Sequence, residues 1–259
     1  MIPTLQDLEH LAHAAGEILR ASYGQRLQVD HKGVIDLVTD ADHRSEAYLL
    51  GEIRSRFPGH KIFAEESGET AGADGQVWYI DPLDGTVNYA HGLPIFSVSI
   101  AFAVAGKMQF GVVYDPMRDE CFSGQSGQGA WLNGQPLHVA DTQILDHALL
   151  VTGFPYDIRT NPANNLDHYA RFALRSQGVR RLGSAALDLC YVAAGRFDGY
   201  WELRMNAWDI AAGGLIAEQA GARVTNLVGK ADYIAPPQSI LAANPQLHQQ
   251  MLAVLNGQE

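Results

Sequence analysis

Two carboxylates stand three residues apart in Asp81-Pro82-Leu83-Asp84-Gly85-Thr86, with a proline between them and a glycine and a threonine behind. The preceding residues, 77–80, are apolar and β-prone and predict a buried strand. Gly85 allows close backbone approach, and Thr86 suits the start of a helix. The stretch predicts a strand that ends in two acids and turns into a helix N-terminus. Acids gathered there repel one another unless a cation stands between them, and the free amides of a helix start attract an anion. Neighbouring cation and anion sites are what metal-dependent phosphate chemistry requires. Asp-Pro and Asp-Gly are also common turn dipeptides, so a plain surface turn is the alternative reading of the stretch taken alone.

Further acids fall near other expected element ends: Asp36 with Asp40 and Asp42, Glu65 with Glu66, and Asp209. On local pattern Asp40 reads as a helix cap and Asp42 as a site residue. Asp209, directly before an apolar run, has an N-cap as its local reading. The whole chain has 259 residues, 47% hydrophobic and 18% charged, enough for one large domain or two joined lobes. A formal charge of −11 leaves no basic stripe to neutralise a nucleic-acid backbone and argues against nucleic acid as the main partner. An acidic protein handling an acidic substrate needs local cations. The N-terminus has no long apolar run, so neither a signal peptide nor a membrane span is expected. Cys121 and Cys190 stand apart among apolar neighbours and read as buried thiols of a reducing compartment.

The elements that must position these acids follow from periodicity. Residues 4–23 predict an amphipathic helix, 32–38 a turn into a short strand, and the residues after Thr39 a second helix that Pro58-Gly59 stops. A strand at 61–64 runs into Glu65-Glu66-Ser67, and 69–76 reads as a polar loop. Closely spaced strands at 95–104, 108–114, 120–123 and 130–132 predict an antiparallel sheet. Composition shifts near 140–147, which divides the chain into lobes at 1–142 and 143–259. After that, strands at 148–152, 179–182, 197–203, 222–225 and 239–242 alternate with helices near 162–176, 184–194, 208–220 and from Pro245, implying a mixed sheet between helices.

Asp81 to Thr86 resembles the Asp-Pro-x-Asp-Gly-Thr signature of the inositol monophosphatase family. Ala64-Glu65-Glu66-Ser67 looks like its Gly-Glu-Glu-Ser motif, and Trp208-Asp209-Ile210-Ala211-Ala212-Gly213 like its Trp-Asp-x-Ala-Ala-Gly motif. The segment from Lys32-Gly33 through Asp36 to Asp42, Gly183-Ser184-Ala185-Ala186 and Tyr200-Trp201-Glu202 also match, in order, from about Lys32 to Thr225. Ala64, Val87, Tyr89, Ala222 and Asn226 depart from the usual residues, which bears on substrate fit more than on catalysis. The resemblance implies an α/β (α+β) αβαβα sandwich of the sugar-phosphatase type. It further implies a cytoplasmic, lithium-sensitive homodimer with two or three Mg²⁺ ions per active site.

By the same resemblance Glu65, Asp81 and the Leu83 carbonyl hold a first ion, and Asp81, Asp84 and Asp209 a second. A metal-activated water attacks directly, oriented by Thr86 and Asp42, with Glu66 sharing in proton handling and Asp84 contributing to catalysis. Gly85 and Thr86 amides receive phosphoryl charge. Asp84, Ser184, Ala185, Glu202 and Asp209 face the alcohol half of a small phosphorylated polyol or sugar. Inositol monophosphate is the expected substrate, with fructose 1,6-bisphosphate, histidinol phosphate and 3′-phosphoadenosine 5′-phosphate as competitors. Two other readings stand beside it. The nucleophile loop of haloacid dehalogenase phosphatases places its acids two apart rather than three, and an EF-hand run is absent. A non-catalytic, metal-stabilised dimeric scaffold would keep the cores but need not keep every ligand.

Overall fold

The computed structural model describes residues 2–25, 29–31 and 37–258. Helix α1 (Leu5–Ser22) opens with a reciprocal Thr4–Asp7 capping box and buries Leu8, Leu11, Ala12, Ala15 and Leu19 along one face. Strands β1 (Val29–His31) and β2 (Leu37–Thr39) pair antiparallel and lead into α2 (Asp40–Arg56). Residues 32–36, with Lys32, Gly33 and Asp36 of the N-terminal motif, lie outside the described residues. Next come β3 (His60–Ala64), β4 (Gly68–Thr70), β5 (Ala73–Asp84), the short α3 (Thr86–Ala90), β6 (Ser97–Val104), β7 (Lys107–Asp115), β8 (Glu120–Gln125), β9 (Gly129–Leu132) and β10 (Gln135–Pro136). The second half contains β11 (Leu149–Thr152), α4 (Leu166–Ala173), β12 (Gly178–Arg180), α5 (Ala185–Ala193), β13 (Gly199–Leu203), α6 (Ala207–Gln219), β14 (Arg223–Thr225), β15 (Ser239–Ala243) and α7 (Pro245–Leu255).

One sheet runs β10-β9-β8-β7-β6-β5-β3-β4 and is antiparallel except where β3 and β5 run parallel. The polar segment 69–76, expected as a loop, instead holds the end of β4 and the start of β5. There β4 folds back on β3 as a three-residue edge strand, a place where polar residues are at home. The other sheet, β12-β11-β13-β15-β14, is mixed: parallel on the β12-β11-β13 side, antiparallel on the other. Among the described residues no helix is long and apolar enough to cross a membrane.

Period-two alternation sorts the strand residues into three cores and so into five layers. Trp78, Ile80, Ile100 and Phe102 meet α1 and α2 on one face of the larger sheet. Ala101, Val113 and Phe122 point the other way, toward α5 and α6, which also receive Val151, Tyr200 and Ala242 from the smaller sheet. Leu150, Trp201 and Leu241 complete a third core with Phe172 of α4 and Met251 of α7.

Helix α6 lies in the middle layer, and its seat is built from missing side chains. Ala101, Gly111, Gly124 and Ala130 are consecutive cross-strand partners on β6, β7, β8 and β9, a row of small residues across the sheet. A Cβ on Gly111 would stand 2.8 Å from the Ala212 carbonyl oxygen, and one on Gly124 would stand 3.2 Å from the Ile216 Cα. On the helix itself Gly213 admits Leu189 of α5, and Gly214 admits the Tyr233 ring. The Ala-Ala-Gly part of the motif is thus a packing surface, and it sets the height at which Asp209 enters the site. Gly111→Ala should destabilise the fold by about 1–3 kcal/mol, the usual range for overpacking a close contact. Urea unfolding followed by far-ultraviolet circular dichroism checks this.

Candidate active site

The acids of β5 occupy a defect in the strand. Asp81 pairs with Ser99 and Asp84 with Ser97, so three steps on β5 oppose two on β6. This one-residue bulge bends the strand and re-aims its last side chains. Gly85 then turns the chain with φ 100°, and a Cβ there would stand 2.9 Å from the Ile95 carbonyl oxygen. Thr86 opens α3, but Gly85 holds the N-cap position. The Thr86 hydroxyl lies 3.0 Å from both the Leu83 carbonyl and Asp42 Oδ1. With one proton it donates to one of them and keeps lone pairs to accept from a water.

Asp42 does two jobs. Thr39, rather than Asp40, is the N-cap of α2. Asp42 closes the capping box: its Oδ2 accepts from the Thr39 amide (2.9 Å) and the Thr39 hydroxyl (2.6 Å). Its Oδ1 remains for Thr86. Glu65 sits in the turn after β3, where its amide donates to the Ile80 carbonyl (3.1 Å) and holds the turn against β5. Glu66 is not among the residues that line the cleft described below; its backbone amide donates to Glu46 Oε2 of α2 (2.9 Å).

The opposite wall comes from the second half of the chain. Asp84 Oδ2 accepts from the Ser184 hydroxyl (2.6 Å) and the Ala186 amide (2.8 Å), and Oδ1 accepts from the Ala185 amide (3.2 Å). The start of α5 is thereby tied to the end of β5. Asp209 is not the N-cap of α6; it is the third helical residue, and its Oδ2 accepts from the Asn206 amide (2.7 Å). Glu202, on β13, accepts from the Tyr200 hydroxyl (2.6 Å). A Cβ on Gly153 would overlap the Glu202 carboxylate, so a side chain there would displace that carboxylate.

Glu65, Asp81, Leu83, Asp84, Gly85, Thr86, Ser184, Ala185, Glu202 and Asp209 all line one open cleft. Asp42 reaches it only through Thr86. The cleft also holds Gly153, Arg181, Asp188 and Arg204. Sequence reasoning missed the first three as site residues. Asp188 left a readable signal: an acid four residues after Ser184, inside the otherwise apolar run of α5. Arg204 is paired with Asp157 at 2.5 Å, whereas Tyr200 and Trp201 are fully buried core residues.

Electrostatics in the cleft are strained. Burial pushes the Asp81 carboxyl well above its ordinary range, and the charges of Glu65, Asp84 and Asp209 push it further. Asp84 rises to about 6 through burial, opposed by the Ser184 hydroxyl and the Ala186 and Ala185 amides. Glu202 rises to about 7, again chiefly by burial, with the Tyr200 hydroxyl opposing and Asp84 adding to the rise. Asp209 is raised well above its range by desolvation, against the Asn206 amide, and then by Glu65, Asp84 and Glu202.

These donors are oxygens only, and their mutual repulsion is what a hard divalent cation relieves, so they fit magnesium by chemistry. Among the described residues no three acids are already gathered closely enough to hold an ion between them. Asp84 and Asp209 are instead engaged by Ser184 and by the amides at the starts of α5 and α6.

An αβαβα sandwich whose acids meet where a bulged strand turns into a helix defines the sugar-phosphatase class. The chain belongs to the inositol monophosphatase family, whose pattern it matches over residues 3–258. An inositol monophosphatase from Anabaena (Nostoc) sp. PCC 7120 shares 44% identity and a TM-score of 0.88, over 98% of this chain and 95% of that one. The extragenic suppressor protein suhB from Bartonella henselae superposes with a TM-score of 0.90 at 37% identity, over 96% of each chain. The Nus factor SuhB of Escherichia coli K12 is 41% identical over 256 residues, 98% of this chain and 96% of the relative. Family and neighbours together support a phosphatase of this superfamily.

The raised Glu202 carboxyl has a consequence for stability. It binds its proton more tightly folded than unfolded, so its stabilising contribution is complete below about pH 4.5 and is lost as pH rises through about 7. In chelator-treated protein, Glu202→Gln should therefore be more stable than wild type at pH 8, and the difference should shrink toward pH 4. Urea unfolding across that range measures it.

Proposed function

We propose that this chain is a magnesium-dependent phosphomonoesterase that hydrolyses inositol monophosphate to inositol and phosphate by direct attack of water. One observation carries the reading: four carboxylates, Glu65, Asp81, Asp84 and Asp209, face the same cleft as a hydrogen-bonding wall formed by Ser184, Ala185 and Glu202. Glu65, Asp81, the Leu83 carbonyl, Asp84 and Asp209 are the ligands. Bound magnesium supplies positive charge to the phosphoryl oxygens and lowers the pKa of water. The chain's own groups do the rest. Thr86 Oγ1, held by Asp42 and the Leu83 carbonyl, accepts a hydrogen bond from the attacking water and fixes its direction.

The Gly85 and Thr86 amides stand at the same turn to receive phosphoryl charge. Glu202 and the start of α5 take the alcohol half, and a buried carboxylate there selects a polyhydroxylated leaving group over an apolar one. The lobes 1–142 and 143–259 act as halves of one catalytic unit, because ligands and alcohol-binding groups come from both. A homodimer and lithium sensitivity belong to this reading by family likeness.

A panel of inositol monophosphate, fructose 1,6-bisphosphate, histidinol phosphate and 3′-phosphoadenosine 5′-phosphate, assayed with Mg²⁺ and with EDTA, tests it. The expected result is Mg²⁺-dependent hydrolysis with inositol monophosphate preferred, and ¹⁸O from labelled water appearing in the phosphate. A phosphoaspartate trapped at Asp81 would refute direct attack. Asp84→Asn should lower kcat by about two orders of magnitude, the scale of losing one electrostatic group at a reacting centre. Wild-type turnover in that variant would remove Asp84 from catalysis.

The name Nus factor, carried by relatives 41% identical, favours a second reading in which this chain has a transcription-related role. Preference for another phosphate ester moves the substrate but keeps the enzyme; no hydrolysis of any ester leaves this second reading standing.

A further inference from the structure

Asp188 is a buried acid that the scheme above does not use. It lies on α5, is 1% exposed, and lines the cleft beside Glu202 and Asp84. Its Oδ1 is buried and has no hydrogen-bond partner. Leaving such an atom unsatisfied is costly, and an acid in that state is a stronger sign of a missing ligand than an exposed one. Its neighbours do not supply a donor. Glu202 already accepts from Tyr200, and Asp84 accepts from Ser184, Ala185 and Ala186. Burial chiefly, then the charges of Glu202 and Asp84, push the Asp188 carboxyl well above its ordinary range, and Arg181, which lines the same cleft, opposes them.

We infer that Asp188 is a specificity-determining residue that hydrogen-bonds a hydroxyl of the substrate's alcohol half, next to the hydroxyl taken by Glu202. This rests on the phosphatase reading and goes beyond it by naming a second carboxyl in the alcohol-binding wall. A hydroxyl both donates and accepts, so it satisfies Asp188 whether the carboxyl is ionised or protonated. An alcohol half with adjacent hydroxyls serves both acids at once. One with no hydroxyl leaves Asp188 unpaired, and sites built to bond a hydroxyl reject analogues lacking it strongly.

The test compares inositol monophosphate with 4-nitrophenyl phosphate, whose leaving group has no further hydroxyl. For each, kcat and KM are measured with Mg²⁺ for wild type, Asp188→Ala and Asp188→Asn. In Asp188→Ala the ratio of kcat/KM for the polyol ester to that for the nitrophenyl ester should fall by about tenfold or more, mainly through a higher KM. Asp188→Asn keeps one carbonyl acceptor and should fall less. Its melting temperature should not drop, because the group it replaces has no partner to lose.

An unmoved ratio in Asp188→Ala overturns the inference, as does a parallel loss on both esters accompanied by a lower melting temperature in Asp188→Asn, the mark of a purely structural residue. Wild type that hydrolyses neither ester removes the phosphatase reading and this inference with it. Wild type active on both, with the ratio unmoved in the variant, removes this inference alone.

Discussion

Backbone-to-backbone contact between α6 and the larger sheet is the constraint on which the site depends. The acids of β5 and Asp209 of α6 are distant in sequence and belong to different layers. They face one cleft because the helix sinks into a row of alanines and glycines instead of riding on large side chains. A helix that sat one methyl group higher would lift its first turn with it, and interiors at close-packed density have no slack to absorb the change. The middle layer also ties the two sheets together: α5 lies beside α6, and its start is the platform that engages Asp84. Packing and chemistry are thus set by the same two helices.

What that packing brings together is electrostatically unfavourable. Asp81, Asp84, Asp188 and Glu202 are all buried; the charge of Asp84 pushes the other three toward protonation, and that of Glu202 pushes Asp188. The fold mitigates this unevenly. Asp84 has a hydroxyl and two amides, Glu202 a phenol, and Asp209 one amide. Asp42 is the contrast: deeply buried, yet its carboxylate is satisfied by the α2 cap and Thr86, so it behaves as structure with one oxygen turned to the site. Asp84 is thus tied firmly to the start of α5, whereas Asp188 keeps a buried oxygen without a partner.

Much of this was legible in the chain. The strand before Asp81, the antiparallel run after Ile95 and the later alternation of strands and helices are written in short-range periodicity, which is why they were readable. The β4 edge was not, because its polar residues carry no alternation to distinguish a solvent-facing strand from a loop. Local pattern gives the cap of α2 to Asp40, whereas Thr39 takes it; two adjacent capping residues differ only by one step of backbone, which sequence does not encode sharply. Asp188 hid inside an apolar helix whose pattern argued for packing, and Gly153 leaves room for the carboxylate of Glu202, far along the chain. Contacts of that range are a property of the assembled layers.

The two names carried by relatives of this chain can be weighed on physical grounds. A scaffold that only needed its surfaces would gain stability by exchanging buried, mutually repelling acids for apolar residues of similar size, since such exchanges are often neutral or favourable. This chain turns six acids toward one cleft, one of them with a buried oxygen left without a partner. A fold alone does not decide function; the site does. Retaining that much unfavourable charge is understandable only if something enters the cleft to neutralise it. A partner-binding role on another face is compatible with this, but it does not explain the cleft.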